Sequence, residues 1–190
     1  MSQATHAPPA AATLDDLARV DGKAELIDGR IVRAMPSGDH PSTAAFEIAV
    51  GLRDHSRSTG VGLAYADGAG YALPRPLASG RQSFSPDASF YAGPRPANRM
   101  RFLPGPPTFA VEVRSENDYT PAALAAMAAK RADYFEAGTL AVWDVDPIGE
   151  VVFKHLPDAP DHPVAFARGQ VADAEPAVPG WRIAVDAIFG

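Results

Sequence analysis

Cysteine is absent from the 190 residues, which excludes disulfides, thiolate zinc sites and a cysteine nucleophile, and accords with a reducing compartment. Histidine is scarce. His6, His40, His55, His155 and His162 show no HxxxH or HExxH spacing that would set two imidazoles on one helix face, so a histidine-rich metal site is not expected. No run approaches the roughly 18 uncharged apolar residues of a membrane helix, and the first residues lack the basic-then-apolar layout of a secretory signal. The expectation is a soluble, cytoplasmic protein that does not engage a membrane. A positive balance is missing too: 17 Lys and Arg stand against 23 Asp and Glu, for a formal net charge of -6. That argues against a protein that coats nucleic acid nonspecifically, because phosphate affinity comes largely from cationic side chains.

What is present fits one compact domain. At 46% hydrophobic and 21% charged residues, the chain is long enough to bury most of the surface it would expose unfolded. Residues 1–12, rich in Ala and Pro and without period, read as a disordered leader, and 13–190 as a single domain. Charge is uneven. From Arg75 to Arg101 five arginines (Arg75, Arg81, Arg95, Arg99, Arg101) accompany the single acid Asp87, either as a solvated loop or as a groove for phosphates.

Local patterns give an α/β order. Thr13-Leu14-Asp15-Asp16 reads as a capping box opening a short helix to about Val20. Glu25-Leu26-Ile27 and Arg30-Ile31-Val32 flank Asp28-Gly29, a type I′ hairpin signal. Ala45, Phe46, Ala49, Val50 and Leu52 recur at helical spacing after Pro41, with Gly60 as the stop. A second hairpin is expected for 61–66 and 69–73 around Asp67-Gly68, followed by an irregular stretch 74–85. Strands are expected at 87–91 and 108–113, separated by a Pro, Gly and Arg-rich loop. A helix should then run from Thr120-Pro121 to Ala137 with Leu124, Met127, Tyr134 and Phe135 on its buried side, and strands at 140–145 and 151–155 should pair. The fold class is α/β, a mixed sheet flanked by helices.

Residues 85–143 carry the chemistry. Hydrolysis of a phosphodiester needs an activated water and charge relief at phosphorus, and a hard divalent cation held by carboxylates supplies both. Asp87 and Glu112 can form such a pair, because period-two geometry puts Ala110, Glu112 and Arg114 on one strand face, opposite Phe109, Val111 and Val113. The Val113 carbonyl, at a strand end, is a possible further ligand. Lys130, with Tyr134 one turn on, can lay its stem along apolar surface and bring its ammonium to the carboxylates. Taken singly, Asp87 after a proline reads as a turn residue, Glu112 with Arg114 as a solvent-face pair, Lys130 as a solvated helix lysine and His40 beside Asp39 as a turn residue.

Together they carry a resemblance. Pro86-Asp87 followed by Glu112-Val113-Arg114 resembles the PD-(D/E)XK nuclease signature, and the wider pattern is similar to the Uma-type restriction endonuclease family within it. The matching runs are Glu25 to Val32, His40 before the first long helix, Pro86 to Phe90, Val111 to Ser115, Lys130 through Tyr134, Ala137-Gly138 into Val142 to Pro147, and Val178 to Trp181, covering roughly residues 24–189. The resemblance implies a restriction-endonuclease-like core with an N-terminal hairpin, Mg²⁺ or Mn²⁺ held by Asp87 and Glu112, DNA as partner and a homodimer. Catalytic roles fall on Asp87, Glu112 and Lys130, with Arg114, Tyr134, His40 and Glu25 as supporting candidates. Arg114 stands where the superfamily has lysine, and Lys130 on the following helix is the substitute. The competing readings are a noncatalytic nucleic-acid or partner-binding module and a dimeric scaffold that keep the same fold.

Overall fold

A computed structural model describes residues 11–190. The expected leader lies outside the described residues as far as residue 10; of its remainder, Ala12 already donates its N–H to the Gly29 carbonyl at 2.8 Å. The capping box forms, with Thr13 and Asp16 exchanging hydrogen bonds, but helix α1 spans only Leu14–Leu17 and stops short of Val20. Strands β1 (Ala24–Ile27) and β2 (Arg30–Arg33) form the expected hairpin, with positive φ at Asp28 (49°) and Gly29 (65°), the turn conformation that Asp-Gly adopts cheaply.

Helix α2 (Asp39–Thr59) buries Ala44, Ala45, Ile48, Ala49 and Leu52, whereas Phe46 points outward. Next come β3 (Leu63–Ala66), β4 (Tyr71–Ala72), β5 (Ser83–Phe84), β6 (Ala88–Tyr91), β7 (Leu103–Pro104) and β8 (Phe109–Val113). The second hairpin does not form. β3 pairs with β6, while β4 pairs with β5 and, in parallel, with β7. Turn chemistry at Asp67-Gly68 reverses the chain, but the partners of each strand are chosen by burial in two different sheets. Short pairings also run through both segments expected to be irregular, at β5 and at β7.

A 3₁₀ turn (Glu116–Tyr119) leads into α3 (Pro121–Ala137), which Thr120 caps by accepting the Ala123 N–H at 3.2 Å and which ends at Gly138. Its buried residues are Asp133 and Tyr134, not Leu124, which lies on the exposed side. A buried carboxylate is tolerated there because Arg81 reaches it, with Nε 2.8 Å from Asp133 Oδ2. The chain closes with β9 (Ala141–Asp146), β10 (Val151–His155), β11 (Val164–Ala167), β12 (Val171–Asp173), β13 (Arg182–Ala184) and α4 (Val185–Phe189).

The principal sheet runs in the order β11-β10-β9-β8-β6-β3, parallel at β8–β9 and antiparallel elsewhere. Alternation along β8 sorts its side chains. Phe109, Val111 and Val113 enter a core with Ile48, Leu52, Trp143, Trp181 and Ile188, while Ala110 enters a second core with Tyr71, Phe84, Tyr134 and Val142. Glu112 shares the second face, at the rim of that core. Hairpin β1–β2 docks on β5 and the residue before it, since Leu26 donates its N–H to Ser83 Oγ at 2.7 Å and accepts from Gln82 N at 2.8 Å. That docking puts Glu25 beside Glu112.

Candidate active site

Five of the expected residues meet around one cavity of about 360 Å³, whose walls include Lys23, Glu25, Asp87, Glu112, Val113 and Lys130. Lys130 Nζ lies 2.9 Å from Glu112 Oε2 and 3.0 Å from Glu25 Oε1. Tyr134 donates its hydroxyl to the other Glu112 oxygen at 2.6 Å. Its ring is stacked on Phe84 with centroids 4.2 Å apart, so core packing sets the direction of that hydroxyl. Asp87 sits just before β6, where Pro86 has no N–H to extend the ladder; its Oδ2 accepts the Val113 N–H at 2.7 Å. In an extended strand the N–H and C=O of one residue point to the same side, so the Val113 carbonyl also faces this edge.

Lys23, Asp67 and Asp133 were not foreseen as neighbours of these residues, and Arg81 was expected elsewhere. Lys23 Nζ bridges Asp87 Oδ1 at 2.5 Å and Asp67 Oδ1 at 2.7 Å. Arg81 is buried and pairs with both Glu25 and Asp133, so it does not line a phosphate groove as expected from sequence. Some of this had a signal: Lys23 is two residues from Glu25 and so shares its strand face, and Asp133 is three residues from Lys130 on one helix face. Arg81 gave none.

Arg114 shares the β8 face with Glu112 but turns away from it. Its guanidinium grips Asp144 at 2.8 and 2.9 Å and reaches Asp146 at 3.3 Å. His40 lies in the first turn of α2, exposed, with its ring 6.4 Å from that of Phe189 in α4, and is not on the cavity wall. Arg75 is exposed in the loop after β4. Arg95, Arg99 and Arg101 line a separate cavity of about 380 Å³.

Electrostatics divide the carboxylates. Burial raises the Glu112 pKa, and the nearby Asp87 and Glu25 charges add to that against the pull of Lys130. Burial acts the same way on Glu25, but Lys130, Arg81 and the Ser85 N–H outweigh it and leave its pKa lowered. For Lys130 burial opposes the charge, and the Glu112 and Glu25 carboxylates more than offset it, so its pKa is raised. Lys23 is raised in the same manner, chiefly by Asp87. Both lysines are ammonium ions at neutral pH.

The donor set suits a hard divalent cation. Glu25, Asp67, Asp87, Glu112 and Asp133 are five carboxylates joined to three cations, Lys23, Arg81 and Lys130, an excess of two negative charges. Among the described residues no three acidic or histidine side chains converge as a ready cage. Two carboxylates and a carbonyl nevertheless match Mg²⁺, which takes one or two carboxylates and keeps several waters.

A mixed sheet whose central edge gathers acids and a helix-borne lysine is a nuclease-like α/β architecture. A solved structure from Anabaena variabilis ATCC 29413, described as "a putative nuclease belonging to DUF820", superimposes with a TM-score of 0.67 at 18% identity, over 93% of this chain and 97% of that one. The chain belongs to the Uma2 family, described as "Putative restriction endonuclease", whose model matches residues 11–186. No curated protein matches it. Among the described residues, no helix is long and apolar enough to cross a membrane.

Proposed function

We propose that this member of a nuclease family is a Mg²⁺- or Mn²⁺-dependent DNA endonuclease of the PD-(D/E)XK kind. The observation that supports it most is the contact between Lys130 and the half-buried Glu112 in the cavity that Asp87 also faces. Asp87, Glu112 and the Val113 carbonyl would hold the cation, which when bound supplies an activated water and charge relief at phosphorus. Glu25 holds the Lys130 ammonium together with Glu112, and the Tyr134 hydroxyl fixes the Glu112 rotamer. Because Lys130 stays cationic, its role is to orient the attacking water and stabilise charge developing on the phosphoryl oxygens, with no proton taken up by the lysine itself. Arg95, Arg99 and Arg101 contact backbone phosphates without reading sequence. A homodimer would offer one such site to each strand of a duplex; light scattering of the purified protein measures it.

A second reading, a noncatalytic binding module or scaffold, draws on a specific feature: every oxygen of Glu25, Asp87 and Glu112 already accepts a hydrogen bond or ion pair from the protein. Incubation with plasmid and single-stranded DNA in Mg²⁺, Mn²⁺ or EDTA separates the two. Metal-dependent nicking or cutting that EDTA abolishes is expected. Protein inert with each metal and substrate would leave the noncatalytic module.

A further inference from the structure

The cavity of about 380 Å³ beside β3 and β7 combines two kinds of wall. Arg95, Arg99 and Arg101 supply cationic heads; Tyr65, Phe102 and Met100 supply apolar and aromatic surface. Neither Arg95 nor Arg99 forms an ion pair among the described residues, and Arg101 has only an exposed one, with Asp15 at 3.1 Å. Unpaired arginines grouped on a protein of net charge -6 favour an anion. Met100 is 92% exposed, an apolar side chain held in water at the mouth of a cationic pocket.

The aromatic wall is built to stay in place. A Cβ on Gly70 would come within 2.4 Å of Phe102 Cδ1, so only glycine lets that ring lie on the backbone, and the next residue anchors it through Leu103 N–H donating to the Gly70 carbonyl at 2.9 Å. A fixed ring beside arginines can stack a base while the arginines hold its phosphates, the pairing of surfaces that binds unpaired nucleotides. The volume suits one small ligand. The pocket also leads somewhere: a smaller cavity shares Gly68, Gly70 and Phe102 with it and reaches Lys23, which lines the cavity of Asp87 and Glu112.

We propose that this pocket binds one unpaired nucleotide flanking the scissile phosphate, its base against Phe102 and Tyr65 and its phosphates on Arg95, Arg99 and Arg101, so that the preferred substrate is single-stranded DNA or a duplex with an unpaired nucleotide next to the cut. This rests on the nuclease reading and narrows its substrate. In a continuous duplex the bases are stacked on one another and none is available to the ring.

Binding in EDTA, where a cation-dependent cut cannot occur, is measured by fluorescence anisotropy on three labelled probes of equal length: single-stranded DNA, blunt duplex, and an abasic strand that keeps the phosphates. The single strand is expected to bind about tenfold or more tightly than the other two. Phe102→Leu, which keeps apolar packing on Gly70, should remove about tenfold of the preference for the single strand over the abasic one. The exposed pair Arg95→Ala and Arg99→Ala should weaken all probes and flatten the salt dependence by about 0.7 per arginine for single strands. Equal binding of duplex and single strand, or a preference untouched by Phe102→Leu, overturns the pocket assignment even if plasmid is still cut. Absence of binding to every probe together with absence of cleavage overturns the nuclease reading and the pocket with it.

Discussion

Glu112 and Arg114 stand two residues apart on one face of β8, yet their surroundings have opposite characters. Glu112 belongs to a group in which three carboxylates (Glu25, Glu112, Asp133) share two cations (Lys130, Arg81), open to a cavity of about 360 Å³. Arg114 belongs to a balanced one: with Arg131 it faces Asp144 and Asp146, and its guanidinium lies over Phe153 and Tyr119 at 5.5 and 5.8 Å from the ring centroids. An unbalanced, accessible cluster has free energy to gain from a cation; a balanced, closed one has only to lose. Arg114 is held by Asp144 and Asp146, and the positive charge beside Glu112 comes from Lys130 on α3.

The sharpest way to break this contrast is kinetic. Lys130→Ala should abolish cleavage, a loss of about 10³-fold or more, while metal and DNA binding persist, because the ammonium acts mainly in the transition state. Arg114→Ala should cost less, chiefly through binding. A larger loss in kcat for Arg114→Ala than for Lys130→Ala would move the chemical role to Arg114.

Stability should run the other way. Arg114→Ala leaves Asp144, whose side chain is 7% exposed, with only Arg131 at 3.6 Å, and should lower unfolding free energy by about 2 kcal/mol in urea titrations without changing Mn²⁺ affinity. If that variant unfolds like the wild type, the balanced cluster is not structural. Asp87→Asn keeps an oxygen for the Val113 N–H and so should keep the fold, while weakening Mn²⁺ binding at least about tenfold by calorimetry. Unchanged affinity would remove Asp87 from the cation site.

The smallest effect is a pH dependence confined to the second cluster. Burial opposes ionisation of Asp146, but the Gly149 N–H, the Tyr119 hydroxyl and Arg114 outweigh it, so its pKa lies below the ordinary 3.8. Its contribution is therefore complete above about pH 3.8 and disappears as pH falls through the lowered value. Asp146→Asn should cost about 1 kcal/mol at pH 7, and the gap in Tm from the wild type should close in acid. A gap that is constant down to pH 2.5 would mean that the charge of Asp146 contributes nothing.

Local chemistry was legible wherever it is self-contained. Thr13 and Thr120 cap as their neighbours require, Gly60 and Gly138 end helices with φ of 72° and 107°, and Asp28-Gly29 turns the first hairpin. The alternation along β8 placed Glu112 opposite Val111 and Val113, and one helical turn placed Tyr134 with Lys130. Of the five arginines assigned to a phosphate groove, Arg95, Arg99 and Arg101 reached a cavity, while Arg75 and Arg81 did not. Arg81 and Arg99 look alike in sequence, both in stretches with Pro and Gly, but Arg81 lies where β1 docks and is claimed by Glu25 and Asp133.

By itself the sequence determined the long helices and their caps, the first hairpin and the alternation along β8, because caps, turns and periodicity act over a few residues. Only the tertiary structure decided partnership: that β3 and β4 enter different sheets across a good turn, that Lys23 bridges Asp67 and Asp87, and that Arg114 is spent on Asp144 while Lys130 serves Glu112. Those pairings join residues up to 64 positions apart, as between Lys23 and Asp87, and are set by burial, where a charge must find whichever opposite charge the packed chain brings within reach.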